Sequence, residues 1–182
     1  MSLIKEQLRI AGCLAVTNAT VTISIFIIRN FLDLADSIKL NIINIFLTLL
    51  SLGLFIYVFL ALKKLLNHWF QFYESDRFIY LIIGGNVLCS TIGIWLFNND
   101  TLMALILTTF ILITLGIIYI IFAIKLFNLE DNLYGLLIPF AFTIMINGLC
   151  FVSVILLPLT LVVRVVSDVI LGIVFFRAVE QS

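Results

Sequence analysis

Charge, histidine and proline are all scarce in this 182-residue chain. Only 11% of the residues are charged, one is histidine and two are proline. A soluble domain carries about a quarter charged residues, so the polar surface that such a domain needs is missing here. Ten basic residues balance ten acidic ones, and no basic stripe is present that could pair with the phosphates of a nucleic acid.

The residue types that build catalytic and metal sites are equally rare. His68 is the only histidine, so a bis-histidine haem lacks its second ligand, and neither zinc ligands nor a serine–histidine pair stand at a readable spacing. No glycine-rich phosphate loop is apparent either. We therefore expect a non-enzymatic protein without metal or cofactor, with His68 at the level of the lipid headgroups.

The three cysteines, Cys13, Cys89 and Cys150, all lie within apolar runs. None forms a CxxC pair, and an odd number in so apolar a chain does not fit a disulfide scaffold. The sequence predicts that they act as small apolar residues that pack within the membrane.

Long apolar runs are what the chain does have. Apolar residues make up 64% of it, more than one soluble core of this length could bury, so lipid must solvate much of this surface. The runs are continuous rather than alternating, which excludes a β-barrel, and a helix needs about 20 residues to cross the bilayer. We predict an all-α integral membrane protein, one transmembrane domain over 1–182, with six transmembrane helices at 10–28, 40–62, 78–97, 101–124, 134–156 and 159–176.

Two of these helices have alternative interpretations. The first run resembles a signal peptide, but it ends in Ile-Phe-Ile-Ile and not in a small-x-small cleavage site, so we interpret it as a retained anchor. Between the last two runs the only break is Pro158, which suits the first turn of a new helix. One long kinked helix, giving five spans, is the competing interpretation. Polar corners at 98–100 and 128–132 separate other spans, and Asp100 is placed to cap the helix after it.

The distribution of cations favours six spans with both termini in the cytoplasm. The outer ends would then carry Arg29 and Lys39, and a five-span chain would add Arg177 to them. An excess of cations on the cytoplasmic side is the rule for membrane proteins. For so compact a chain we expect a bacterial inner membrane. The cations at the predicted cytoplasmic ends are Lys5, Arg9, Lys63, Lys64, Arg77, Lys125 and Arg177.

The longest predicted cytoplasmic connection, 63–77, is rich in aromatic residues. Trp69, Phe70 and Tyr73 stand there among polar side chains. This pattern is typical of a segment that lies along the lipid headgroups. Binding of a partner protein is the alternative role for the segment.

Two sets of spans resemble one another. The second and fourth share a tyrosine, an alanine and a lysine at identical spacing, beginning at Tyr57 and Tyr119, and the third and fifth share Asn-x-Leu-Cys, beginning at Asn86 and Asn147. We predict three tandem helical hairpins, roughly 8–66, 76–128 and 133–179, as a parallel repeat. Chance similarity is the alternative. This arrangement resembles the small six-span bacterial membrane proteins linked to acid resistance; the resemblance covers the whole chain, is architectural, and extends to Leu-Leu-Pro158 at one turn.

Two charges fall within the last predicted span. Arg164 and Asp168 are four residues apart and therefore share a helix face. A charge inside a span costs about 3 kcal/mol or more, so such residues usually face the bundle and mark a functional path. A pair that ties the last helix to its neighbours is the favoured interpretation, because no second intramembrane acid is present for a proton relay.

One asparagine lies in each odd-numbered predicted span, at Asn18, Asn86 and Asn147, and therefore one such residue lies in each hairpin. Hydrogen bonds between membrane helices contribute about 0.6 to 2 kcal/mol each, so we expect these amides to hold helices together. A ring of amides that forms a polar binding site around a pseudo-threefold axis is the alternative.

Small residues repeat every four positions on the third span, at Gly85, Cys89 and Gly93. Such a face lets two helix backbones approach closely. It predicts either an internal packing seam or a contact between copies of the chain.

Two functions remain open from the sequence. The first is an accessory or structural subunit that packs against other membrane proteins or itself. The alternative is a small transporter or channel with a midplane polar site around Arg164, Asp168 and the three asparagines. A lipid-directed enzyme is more remote, because no catalytic pairing is evident among His68, Glu74, Asp76 and Asp168.

Overall fold

The structure is a computed structural model that describes residues 2–35, 38–96, 102–129, 135–153 and 155–181. These residues form six α-helices, which agrees with the all-α prediction. The predicted polar corner at 98–100 and most of that at 128–132 lie outside the described residues. The helices are α1 (Ser2–Ala35), α2 (Ile38–Phe70), α3 (Ser75–Leu96), α4 (Leu102–Phe127), α5 (Leu137–Ser153) and α6 (Leu157–Gln181).

Four stretches of these helices are long and apolar enough to cross a membrane. A further apolar helix, Leu137–Ser153, is shorter. The chain therefore has the character of a helical membrane protein, while six complete spans stay a prediction. The four stretches are Lys5–Ile28, Asn41–Phe70, Ile106–Phe127 and Leu157–Glu180.

The helices form a closed ring in chain order. Each packs against the helices before and after it, and α1 packs against α6 to complete the circle. Within the described part of the chain, the backbones of helices that are not neighbours in the ring do not come into contact. Because six helices alternate in direction, the start of α1 and the end of α6 lie at the same end of the bundle.

The segment around Pro158 folds as two separate helices. Helix α5 ends at Ser153, and α6 begins at Leu157 with Pro158 in its first turn, where a missing N–H costs nothing. The Leu159 N–H donates to the Leu156 carbonyl, 2.9 Å away, to form the turn. Helices α5 and α6 pack against each other, so this segment is a hairpin and not one kinked helix.

Helix α2 is longer than the hydropathy pattern predicts and continues to Phe70. Leu65 and Leu66, placed by the sequence in an interfacial connection, are buried in the core. Gln71 then adopts a φ of 51°, and the Phe72 N–H donates to the Leu66 carbonyl, 3.3 Å away. The left-handed Gln71 therefore ends the helix, and the Phe72 N–H turns back to a carbonyl near the end of α2.

Glycines bring two pairs of helices into backbone contact. A Cβ atom at Gly116 would lie 2.7 Å from the Gly148 carbonyl oxygen, which places α4 directly against α5. A Cβ at Gly172 would lie 3.2 Å from the Gly12 carbonyl oxygen, which does the same for α6 and α1. Gly53, by contrast, faces open space. Glycine is therefore required at two of the junctions between predicted hairpins.

The predicted repeat is not confirmed at the level of side chains. Tyr57 and Tyr119 occupy matching positions in the sequence pattern, yet Tyr57 is 39% exposed and Tyr119 only 2%. The two tyrosines therefore point in different directions relative to the ring. The three-hairpin repeat stays a prediction.

The bundle has two unlike halves. The terminal half contains both chain ends and consists of 5–17, 53–70, 75–85, 117–127, 137–145 and 169–180. The distal half consists of 19–28, 41–51, 86–92, 106–114, 147–153 and 155–166. Among the described residues, the largest fully buried side chains lie almost entirely in the terminal half: Leu62, Leu65, Leu66, Ile79, Ile82, Phe122, Leu126, Leu137, Phe140 and Phe175.

Candidate functional site

A buried hydrogen-bonded chain links three helices at the boundary between the two halves. The Asn18 side-chain amide donates to Asp168 Oδ2 over 2.8 Å, and the Ser51 hydroxyl donates to Asn18 Oδ1, also over 2.8 Å. All three side chains are buried. A hydrogen bond to a carboxylate is among the stronger kinds, so this chain joins α6, α1 and α2 firmly. The other carboxylate oxygen of Asp168 accepts no hydrogen bond from the described residues.

Arg164, one turn before Asp168 in α6, reaches into the interior of the ring. Its guanidinium carbon lies 5.1 Å from the centroid of the Phe55 ring, a cation–π contact. Because α2 is not a ring neighbour of α6, this contact crosses the interior and links these two even-numbered helices.

Arg164 and Asp168 share a face of α6, as their spacing predicts, but they are not in direct contact. Among the described residues, no ion pair within 4.0 Å joins them. Asp168 accepts a hydrogen bond from Asn18 instead, and the guanidinium carbon of Arg164 lies over the Phe55 ring. The Nε atom of Arg164 is buried and has no hydrogen-bond partner among these residues. An unpaired buried donor costs about 1–3 kcal/mol, and more when it is charged.

The remaining predicted asparagines have different surroundings. The Asn86 amide donates to the Tyr119 hydroxyl, 3.0 Å away, and to the Ile82 carbonyl, 2.8 Å away, so it joins α3 to α4. Asn147 is buried on α5, and its Oδ1 has no partner among the described residues. The three asparagines therefore do not form one equivalent ring: Asn18 and Asn86 bond neighbouring helices, and Asn147 presents a free oxygen.

Further polar atoms without partners lie deeper in the distal half. The Oδ1 atoms of Asn41 and Asn44, on α2, are buried and unbonded within the described structure. With Ser51 they follow one face of α2 towards Asp168, at helical spacing. Buried polar groups are nearly always satisfied by protein, water or ligand. A helix face with such unsatisfied polar atoms is typical of one that lines a polar passage.

The small residues of α3 serve packing within the chain. A Cβ at Gly85 would lie 2.5 Å from a methyl carbon of Leu115, so α4 occupies the space beside this glycine. Cys89 is half-buried and packs against the same core. The surroundings of Gly93 lie outside the side chains that the structure describes. The structure places Gly85 and Cys89 in an internal seam between α3 and α4.

Ion pairs close the terminal end of α2 and α3. The Lys63 ammonium lies 3.0 Å from Asp76, and the Asn67 amide donates to the same carboxylate over 2.9 Å. In the connection at 71–74, Glu74 accepts a hydrogen bond from Lys125 of α4, and this bond lowers the pKa of the Glu74 carboxyl. These contacts hold the 71–74 connection against the bundle.

The aromatic residues predicted at the interface occupy two environments. Trp69 and Phe70 end α2 and pack half-buried against the core, whereas Tyr73 is exposed in the connection. His68 is exposed on the last turn of α2. The interfacial position of 63–77 stays a prediction, although most of its backbone is helical.

Sequence reasoning missed Phe55, Ser51 and Tyr119 as the contact partners of Arg164, Asn18 and Asn86. An aromatic residue in an apolar run gives no sign that it contacts a cation. Ser51 and Asn44 do share a helical face seven residues apart, which was a readable signal of a polar stripe on α2.

Comparison with protein-family models, with curated proteins and with solved structures gives no match for this chain. In the described residues, no three His, Cys, Asp or Glu side chains come together as metal ligands. The functional assignment therefore depends on the geometry of the interior site, which we call the Arg164 site and define by Arg164, Asp168 and Phe55.

Proposed function

We propose that the protein is a small membrane transporter or channel whose solute binds at the Arg164 site. One observation carries the proposal: the Nε of Arg164 is buried and has no hydrogen-bond partner among the described residues. A purely structural arginine in a membrane helix normally has its N–H groups paired with carboxylates or carbonyls, because its charge is costly there. An arginine that is directed inward and left unpaired is suited to a solute.

The position of Arg164 supports the same function. It lies seven residues from the start of α6, about 10 Å along the helix. Counted from the turn between α5 and α6, Asn147 lies at a similar depth. Polar sites near the bilayer midplane, flanked by helices that enclose them, are usual in small transporters.

The two halves of the bundle suggest how access is controlled. In the terminal half, side chains such as Phe122, Phe140 and Phe175 fill the interior and have almost no exposed surface. In the distal half, Asn41 and Asn44 lead towards Asp168. We propose that the present conformation admits solute from the distal side only, and that passage requires the terminal half to open.

An accessory or structural role is the second candidate. The hydrogen bonds from Asn18 to Asp168 and from Asn86 to Tyr119 favour it, because each joins two helices as a structural tie does. In that case the protein would pack against other membrane subunits or a second copy of itself. The unpaired Arg164 has no explanation in this role, so we rank it second.

We also propose a non-enzymatic protein without metal or cofactor, set in a bacterial inner membrane with both termini cytoplasmic. The placement of cations supports this orientation, because Lys63, Lys125 and Arg177 all lie near the terminal end and cations concentrate on the cytoplasmic side.

Flux through proteoliposomes tests the proposed function. The full-length protein is reconstituted, and swelling is followed by light scattering in gradients of alanine, propionate, ethylamine, glycerol and urea. We expect faster swelling than in empty liposomes for at least one solute, and loss of that increase in Arg164→Gln. Arg177→Gln, which removes an exposed cation, is the matched control and should behave as the unchanged protein.

A different pair of results would contradict the transport proposal. If no solute moves faster than in empty liposomes, and the protein purifies in mild detergent with a stoichiometric membrane partner, the accessory role is correct and the transport proposal is wrong.

A further inference from the structure

We infer that the Arg164 site accepts a small zwitterion, a molecule such as an α-amino acid that carries one carboxylate and one ammonium group. This inference rests on the proposed function, because it names the class of solute that the interior site would bind. It depends on three features of the site: its charge balance, its free hydrogen-bonding atoms and the way in which Phe55 covers the guanidinium.

The site contains one fixed positive charge and one fixed negative charge that are not paired with each other. Arg164 and Asp168 lie one helical turn apart on the same face of α6, and no ion pair within 4.0 Å joins them. A zwitterion carries no net charge, so its binding leaves the net charge of the site unchanged. A simple anion would add a second negative charge beside Asp168, and a simple cation would add a second positive charge beside Arg164.

Free hydrogen-bonding atoms are present next to both charges. On the positive side, Arg164 Nε has no partner within the described residues. On the negative side, one oxygen of Asp168 accepts no bond from them. The Arg164 N–H can donate to a carboxylate, and the Asp168 oxygen can accept from an ammonium.

Phe55 contacts the guanidinium without pairing its N–H groups. Its ring lies 5.1 Å from the guanidinium carbon, the distance of a cation–π contact. Because the phenyl ring carries no carboxylate or carbonyl oxygen, the contact leaves Arg164 Nε without a hydrogen-bond partner. The edge that carries Nε binds carboxylates through two parallel hydrogen bonds. The geometry therefore favours a carboxylate at this edge and an ammonium one turn along α6, near Asp168.

Binding of three matched probes tests the inference. Alanine is the zwitterion, propionate lacks the ammonium group and ethylamine lacks the carboxylate. Each is titrated calorimetrically into the full-length protein in detergent. We expect alanine to bind about tenfold or more tightly than either of the others, a difference of one paired charge.

Charge-changing variants give the sharper readout. Asp168→Asn leaves the site with a net positive charge, so we expect propionate to bind more tightly than alanine. Arg164→Gln leaves a net negative charge, so ethylamine should bind best. A merely structural role for these residues would not reverse the order of the probes. If Asp168→Asn does not fold, Arg164→Lys tests the same point, since it keeps the charge and should keep the preference for alanine with weaker affinity.

The outcomes separate this inference from the proposed function. Tighter binding of propionate than alanine to the unchanged protein overturns the zwitterion inference, while propionate flux through proteoliposomes upholds transport. Binding of none of the three, with flux of glycerol or urea, also overturns the inference alone. Neither binding nor flux of any probe overturns both.

Discussion

The terminal and distal halves of the ring are built from the same six helices, yet their interiors differ in kind. In the terminal half, side chains such as Phe122, Phe140 and Phe175 meet in the middle and exclude solvent. In the distal half, Asn44, Asn147 and Arg164 each have a buried polar atom without a hydrogen-bond partner among the described residues. The largest fully buried side chains are thus concentrated in the terminal half. Of the five unsatisfied buried polar atoms in the described residues, four lie in the distal half and one, Asn67 Oδ1, lies in the terminal half.

This difference shows why a chain with few charges keeps two of them in a membrane helix. The terminal half supplies the tight packing that stabilises the ring, helped by the ion pairs of Lys63 with Asp76 and of Lys125 with Glu74. The stability that this packing provides can offset the free-energy cost of an unpaired Arg164 in the distal half. Substitutions matched between the halves should therefore have very different effects.

The largest expected effect comes from removing an aromatic side chain from the terminal core. Phe122→Ala, in a side chain with 0% exposure, should lower the free energy of unfolding by about 3–5 kcal/mol because it leaves a cavity. Phe110→Ala, on the same helix but 68% exposed, should cost far less. Unfolding in detergent–denaturant mixtures measures both; equal losses would mean that Phe122 is not part of a tightly packed terminal core.

The next effect is expected at the crossing of α4 and α5. Gly116→Ala places a Cβ 2.7 Å from the Gly148 carbonyl oxygen, so the helices must separate, at a cost of about 1–3 kcal/mol. Gly53→Ala is the control, because its Cβ meets open space, and it should be neutral or slightly stabilising. Thermal unfolding of the two variants distinguishes them; a neutral Gly116→Ala contradicts the close approach.

A similar or smaller effect is expected at the boundary between the halves. Asp168→Leu removes the acceptor of the Asn18 amide and leaves that amide buried, which should destabilise the bundle by about 1–3 kcal/mol. It should also abolish solute flux. Glu180→Gln, an exposed charge on the same helix, should change neither property. If Asp168→Leu changes neither folding nor flux, this residue has neither the structural role nor the functional role.

The smallest effect is expected at the terminal surface. The hydrogen bond from Lys125 lowers the pKa of the Glu74 carboxyl in the folded protein. A lowered pKa means that the stabilisation is present above the ordinary carboxyl pKa and is lost as the pH falls through the folded value. The difference in melting temperature between the unchanged protein and Glu74→Gln should therefore be small at pH 7 and vanish in acid. A difference that grows in acid contradicts this ion pair.

Hydropathy predicted the helices well and their ends less well. The pattern placed the end of the second helix at residue 62, but α2 continues to Phe70, because Leu65 and Leu66 extend its buried face. A hydropathy window detects continuous apolar runs, so it does not detect the part of a helix in which polar and apolar side chains are mixed. Pro158 did mark the break between α5 and α6, since proline has a fixed effect on local geometry.

Only part of the interior site could be predicted from the sequence. Spacing alone placed Arg164 and Asp168 on one face of α6, because that relation is local. The partner of Asp168 is Asn18, 150 residues away, and it is selected by the closure of α1 on α6. Likewise Phe55 meets Arg164 only because the ring brings α2 opposite α6. A single sequence does not reveal which distant helices pack against each other when the ring closes.

Accessibility to water tests the central claim most directly. In a variant with Cys13, Cys89 and Cys150 replaced by alanine, single cysteines are introduced as Asn147→Cys in the distal interior and Leu126→Cys in the terminal interior. Both native side chains are buried, and thiols react with a water-soluble maleimide only where water reaches them. We predict faster labelling at 147 than at 126 in intact membranes, because only the distal interior opens to solute in the proposed mechanism. Equal labelling at both positions, or none at either, would contradict a polar, solute-accessible distal half.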